Sequence, residues 1–158
     1  MDIGSRGKYP ANALSNFAAR SFVFRGVPVA SMEGLLQSFK VKDAEAQKHM
    51  CTLIGITAKR AGAHKNWQST QTLYWQGKPI ARDSDEYQEM LDEAYNNMFD
   101  QSPKARAALM ATGQAQLTHS IGRIKKPETV LTRQEFCSRL MNKRRSINHT
   151  KLLEGLSK

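Results

Sequence analysis

Several things are scarce in this chain of 158 residues, and each scarcity excludes something. Cysteine occurs only twice, at Cys51 and Cys137, too few for a disulfide scaffold or a cysteine-rich metal site. The apolar runs last only a few residues, far short of the ~20 that a membrane helix needs. The opening Met1-Asp2-Ile3-Gly4-Ser5-Arg6 has no apolar signal core and does not read as a myristoylation site. Glycine-rich phosphate loops, G-x-S-x-G, H-E-x-x-H and C-x-x-C are all absent. His49, His64, His119 and His149 form no pair at metal-ligand spacing, so neither a metal nor a cofactor is expected. No repeat or low-complexity linker divides the chain. The expectation is one soluble, cytoplasmic domain without a membrane partner, at residues 1–148, followed by a tail from His149 that frays.

Charge is abundant but unevenly distributed. Lys and Arg number 24 against 14 Asp and Glu, for a net charge of +10. Seven of the acids (Asp83, Asp85, Glu86, Glu89, Asp92, Glu93 and Asp100) fall between residues 83 and 100, where no Lys or Arg occurs. The other 140 residues carry a surplus of +17, including Lys59-Arg60, Lys125-Lys126 and Lys143-Arg144-Arg145. Such a surface suits a polyanion or a phosphorylated ligand, though it serves solubility equally well.

Periodicity predicts a mainly α domain, α+β by virtue of one small β-hairpin. Phe22-Val23-Phe24 and Val27-Pro28-Val29 flank Arg25-Gly26 as two short strands around a turn. Met32, Leu35, Leu36 and Phe39 line one face of a helix over 32–41. Asp43 is placed to cap a helix reaching about Leu53, and a short helix from Thr57 closes at Gly62. Asp83 and Glu86 have capping-box spacing ahead of the stripe Tyr87, Leu91, Ala94 and Met98. Ser102-Pro103 opens a helix ended by Gly113, and Thr132 with Glu135 opens one bearing Phe136, Leu140 and Ile147.

Three polar residues on the first helix carry possible chemistry. Glu33, Gln37 and Lys40 lie at i, i+4 and i+7, within an arc of roughly 60° at ~100° per residue. A carboxylic acid can exchange a proton with a leaving group, and an unprotonated lysine can attack a sugar or carbonyl carbon. An ordinary amphipathic helix shows the same pattern. Trp67, between polar neighbours, suits either a stacking surface or a core position. Asn16 suits a turn or a ligand contact.

Taken in order, Leu14-Ser15-Asn16-Phe17, Ser31-Met32-Glu33 with Gln37 and Lys40, Arg60 to Gly62, Lys65-Asn66-Trp67, Ala108-Leu109 to Thr112-Gly113, and Leu140-Met141 with Arg144 resemble the NADAR family of YbiA-like proteins. The resemblance spans roughly residues 11 to 147. It implies a compact, mainly α fold and a metal-independent N-glycosidase that cleaves a ribose C1–N bond. Two substrate classes are associated with it: ADP-ribose on guanine in nucleic acid, and phosphorylated ribosylaminopyrimidines, early intermediates of riboflavin synthesis. Position by position, Glu33 matches the catalytic glutamate, Lys40 the helix lysine and Trp67 the active-site tryptophan. Asn16, Gln37 and Arg60 are the expected substrate contacts.

The sequence departs from the family pattern in three places. Gly34 and Leu35 replace a His and an aromatic residue, residues 72–85 read as an added loop, and the Trp-Gly pair of the C-terminal third is missing. His119 and Glu135 are the candidates to replace the acid lost there, unless they are a surface residue and a helix cap respectively. The basic surplus favours the nucleic-acid substrate. The competing expectations are a non-catalytic ADP-ribose or nucleic-acid binding module, and a structural α domain with an accidental polar stripe.

Overall fold

The computed structural model describes residues 1–63 and 66–157. His64, Lys158 and the Lys65 of Lys65-Asn66-Trp67 lie outside the described residues. The architecture is α+β. In chain order it runs β1 (Phe22–Phe24), β2 (Val27–Val29), α1 (Met32–Ser38), α2 (Ala44–Met50), α3 (Gly55–Gly62), α4 (Trp67–Thr70), β3 (Thr72–Trp75), β4 (Lys78–Ala81), α5 (Asp85–Gln101), α6 (Pro103–Ala111) and α7 (Arg133–Leu156). No described helix is long and apolar enough to cross a membrane.

The two β elements are antiparallel hairpins built alike. β1 pairs with β2 through Phe22↔Val29 and Phe24↔Val27. Arg25 and Gly26 both have positive φ, 48° and 80°, the turn whose twist matches a tight hairpin. The second hairpin overturns the expectation of a loop at 72–85. Its β3 and β4 pair from Thr72↔Ala81 to Trp75↔Lys78, across Gln76 and Gly77 at φ 48° and 84°. Gln47 fixes it against α1: its amide donates to Ser38 O (2.9 Å) and Tyr74 O (2.8 Å), and its Oε1 accepts from Gln76 N–H (2.7 Å).

An aromatic cluster joins both hairpins to the helices. Phe24 meets Trp75 edge-on at 4.9 Å, Phe39 lies 6.2 Å from each, and Tyr87 of α5 meets Phe39 at 6.1 Å. The stripe Tyr87, Leu91, Ala94 and Met98 of α5 is buried, as its spacing requires. Acids on its outer face, with Asp83 just before it, pair with neighbouring basic residues. Arg25, Lys126, Arg139 and Lys143 pair with Glu93, Asp83, Asp92 and Asp100 respectively.

Several helix ends differ from expectation. α1 stops at Ser38, and the chain tightens into i→i+3 bonds through Val41, so Lys40 lies on a turn beyond the helix. α2 is capped by Asp43 but ends at Met50. Ser84 rather than Asp83 caps α5, accepting from Tyr87 N–H. The Thr132–Glu135 capping box is present in both directions. α7 continues through the segment expected to fray, with residues 148–157 exposed.

Glu135 also accepts two bonds from the buried guanidinium of Arg82, at 2.6 and 3.1 Å. That pair ties the end of β4 to the start of α7. It is structural, which removes Glu135 from the candidate site residues. Replacing Arg82 with Met would strand a buried carboxylate, so we expect a loss of about 3–5 kcal/mol, read as a lower urea midpoint at unchanged slope. A loss below about 1 kcal/mol would mean that the pair is not what joins these elements.

Candidate functional site

The site forms where α1 and α3 face the segment between α6 and α7. Ser31 caps α1 by accepting from Gly34 N–H (3.0 Å) and donates to Leu53 O (2.8 Å). This bond draws the 50–53 segment against the first turn of α1, and only glycine fits at position 34. A Cβ there would sit 2.5 Å from Leu53 O. Gly62 is also closely packed: its Cβ would stand 1.9 Å from Gln37 Oε1, a side-chain atom rather than backbone. It is the last residue of α3, as expected, and in addition lets Gln37 of α1 lie against that helix.

Glu33 lies at one wall of a cavity of about 210 Å³. Asn16, Gln37, Lys59 and His119 share that cavity, which Ile121–Arg123 and Thr129–Leu131 close from the other side. Gln37 Nε2 donates to Glu33 Oε1 (2.9 Å), while its buried Oε1 has no partner among the described residues. Burial raises the Glu33 pKa above the ordinary carboxylate range, against the opposing pull of Gln37, Lys59, Lys40 and His119. Asn16 accepts at Oδ1 from the buried Tyr95 hydroxyl (2.8 Å), and its carbonyl accepts from Glu33 N–H (3.0 Å).

A second cavity, of about 200 Å³, lies beyond Gln37 and shares Gln37, Lys59, Arg123, Thr129 and Val130 with the first. Lys40 and Trp67 line this one. Lys40 Nζ donates to Gly62 O (3.3 Å), and burial lowers its pKa despite the nearby Glu33. Each cavity alone is small, but side by side they reach the roughly 300–1,000 Å³ of small-molecule sites. Lys40 and Glu33 therefore flank Gln37 in adjoining spaces rather than meeting in one. Trp67 is a core residue with 5% exposure, not a half-exposed plate.

Two sequence-level assignments change. Arg60 is exposed and lines neither cavity, whereas Lys59 lines both and stands 5.9 Å over the Phe17 ring. The small residues Ala58 and Gly62 mark the packed face of α3, and at ~100° per residue Arg60 is turned about 200° from Ala58. That small-residue face was the signal that Lys59 belongs to the site. His119 is half-buried, not a surface residue. Its Nδ1 lies 2.7 Å from the Ile3 carbonyl, which can only accept, so Nδ1 carries a proton and Nε2 is the nitrogen left for other contacts. A Cβ on Gly122 would crowd that edge, at 2.5 Å from Cδ2. Arg123, which also lines both cavities, carries no recognisable sequence signal.

The family model described as bacteriophage protein GP30.3 matches residues 8–145. The chain belongs to that family. It is 38% identical over 138 residues to an uncharacterized 17.1 kDa protein from the Gp30-rIII intergenic region of Enterobacteria phage T4, covering 86% of this chain and 91% of that protein. Among solved structures, it is similar to the NMR structure of the E. coli protein YbiA, with a TM-score of 0.65 and 18% identity over 96% of this chain and 86% of YbiA. This is a likeness of fold, and it is the fold that the NADAR resemblance implied. The GP30.3 match contains Asn16, Glu33, Gln37, Lys40, Lys59, Trp67, His119 and Arg123.

The raised Glu33 pKa has a consequence for stability. The folded chain favours the neutral carboxyl, so Glu33 costs nothing below the ordinary carboxylate pKa, becomes destabilising as pH rises from that value to the raised one, and stays so above it. Glu33→Gln should therefore melt higher than the wild type near pH 8, with the difference vanishing as the pH falls towards 4. An equal or lower melting temperature at pH 8 would contradict this electrostatic reading.

Proposed function

We propose that the protein is an N-glycoside hydrolase that removes ADP-ribose from guanine in nucleic acid, without a metal. The observation that carries this reading is Glu33: a carboxyl that opens on a cavity, is oriented by Gln37, and holds its proton more tightly than usual because burial raises its pKa. Breaking a ribose C1–N bond develops positive charge at C1 and negative charge on the departing base nitrogen. A protonated Glu33 gives its proton to that nitrogen, and the resulting carboxylate faces C1 and draws a proton from the attacking water. Asn16 and His119, on the same cavity, offer polar contacts to the ribose and base. Lys59 and Arg123, which line both cavities, offer cations to the diphosphate.

Support for a nucleic-acid substrate comes from basic residues that remain uncommitted. Lys143 pairs with Asp100, and Arg144 bonds Thr112 Oγ1 and Ala115 O, so that basic cluster serves the fold. Lys59, Arg60, Arg123 and Lys125 are exposed around or near the cavities and face no close acid except Glu128, 4.0 Å from Arg123.

The test is release of ADP-ribose from a guanine-ADP-ribosylated oligonucleotide by purified protein without added metal. We expect turnover that falls 10²–10⁴-fold in Glu33→Gln while binding persists. Full activity in that variant would remove Glu33 from the reaction. No release from the oligonucleotide, with cleavage of a phosphorylated ribosylaminopyrimidine instead, would overturn the choice of substrate.

Lys40 supports a covalent variant of the same reaction. Burial favours its neutral amine, which can attack C1 of the opened ribose as the base departs, giving an imine that water cleaves to ADP-ribose and free lysine. Borohydride added during turnover should then trap a reduced adduct on Lys40 that Lys40→Arg lacks. Turnover with no adduct would leave bond cleavage to Glu33 and water alone.

A further inference from the structure

Ser120 to Lys126 forms the outer lip of the Glu33 cavity, and the lip is held from behind. Asp2 accepts from Ser120 N–H (2.8 Å) and Ser120 Oγ (2.6 Å) through its two carboxylate oxygens. The Arg133 side chain donates to Ser120 O (2.6 Å) and to Gly122 O, and its N–H donates to Arg123 O (2.9 Å). The loop is thus a preformed surface. It displays two isoleucines in solvent, Ile121 at 77% and Ile124 at 71% exposure. Between and beside them stand Arg123, whose side chain is 69% exposed, and the exposed Lys125.

A single exposed isoleucine is unremarkable. What points to a ligand is the alternation of apolar and cationic side chains on one anchored loop at the mouth of a cavity. Nucleic acid has the matching alternation, with flat apolar base faces spaced between phosphates. A base whose glycosidic bond is to reach a cavity behind this lip must also leave its stack, which a single strand permits at least cost.

We propose that the 120–126 lip binds the nucleotides flanking the modified base in a single-stranded nucleic acid, with Ile121 and Ile124 against bases and Arg123 and Lys125 against phosphates. The proposal rests on the glycosidase reading for what enters the cavity, but the lip can be tested apart from it. Ile124 and Lys125 line neither cavity, so Ile124→Ser combined with Lys125→Ala alters the lip alone.

The experiment measures fluorescence anisotropy of a labelled, unmodified single-stranded 12-mer between 50 and 200 mM salt, for wild type and double variant of matched melting temperature. The expected result is about tenfold weaker binding by the variant. Its log–log salt slope should also be shallower by about 0.7, the value of one single-strand phosphate contact. Equal affinities and slopes would overturn the proposal, as would a duplex that binds wild type as tightly as the single strand. In turnover, the variant should raise KM about tenfold for the ADP-ribosylated oligonucleotide and leave ADP-ribosylated guanosine unaffected; an equal effect on both would overturn the lip's role. Absence of turnover on both substrates by wild type would refute the glycosidase reading, with the binding measurement still deciding the lip.

Discussion

The approach of α1 to the 50–53 segment and to α3, closer than a side chain allows, is the constraint from which the site follows. At Gly34 the neighbour is backbone, Leu53 O, and cannot yield. At Gly62 the neighbour is Gln37 Oε1, whose amide is thereby held with Nε2 towards Glu33. Pressed against Gly62, that oxygen finds no conventional donor among the described residues. The arrangement orients the carboxyl and leaves it open only on its cavity side. Burial of Glu33 and its raised pKa are thus products of helix packing rather than of any neighbouring acid.

The opposite wall is held by different means. The 119–131 segment has almost no regular structure, yet it is fastened at both ends. The N-terminal residues run beside it, with Ile3 N–H on Thr118 O and His119 on Ile3 O, and the Arg82–Glu135 pair anchors the start of α7. A buried pair of this kind is weak evidence of net stability, since the desolvation cost is large, but breaking it is expensive. Its value here is to fix where α7 begins, and with it Arg133 and the lip. The acidic face of α5 plays a related part. By pairing with Arg25, Arg139 and Lys143, and through Asp83 just before it with Lys126, it engages cations of the fold, so the +17 surplus outside residues 83–100 overstates the charge left for a ligand.

Much of the fold was legible because it is local. Caps at Ser102 and Thr132, the stripe of α5 and the first hairpin each depend on residues within one or two turns of one another. The second hairpin was legible by the same rule, since Gln76-Gly77 between alternating residues is the counterpart of Arg25-Gly26. The family resemblance instead makes that segment an added loop. Side-chain periodicity runs on through Phe39 while the backbone has already tightened into a turn, which puts Lys40 beyond the end of α1.

The sequence by itself determined the fold class, the longer helices, the caps at Asp43, Ser102 and Thr132, and the presence of a carboxylate, an amide and a lysine near one another, because these rest on spacing along a single segment. Tertiary structure alone decided which groups share a cavity. It chose Lys59 over Arg60, brought His119 to Glu33, separated Lys40 behind Gln37, buried Trp67 and sent Glu135 to Arg82. Each of those outcomes depends on contacts between residues dozens of positions apart. Burial, which sets the proton affinity of a carboxyl, is a property of that packing and of no single segment.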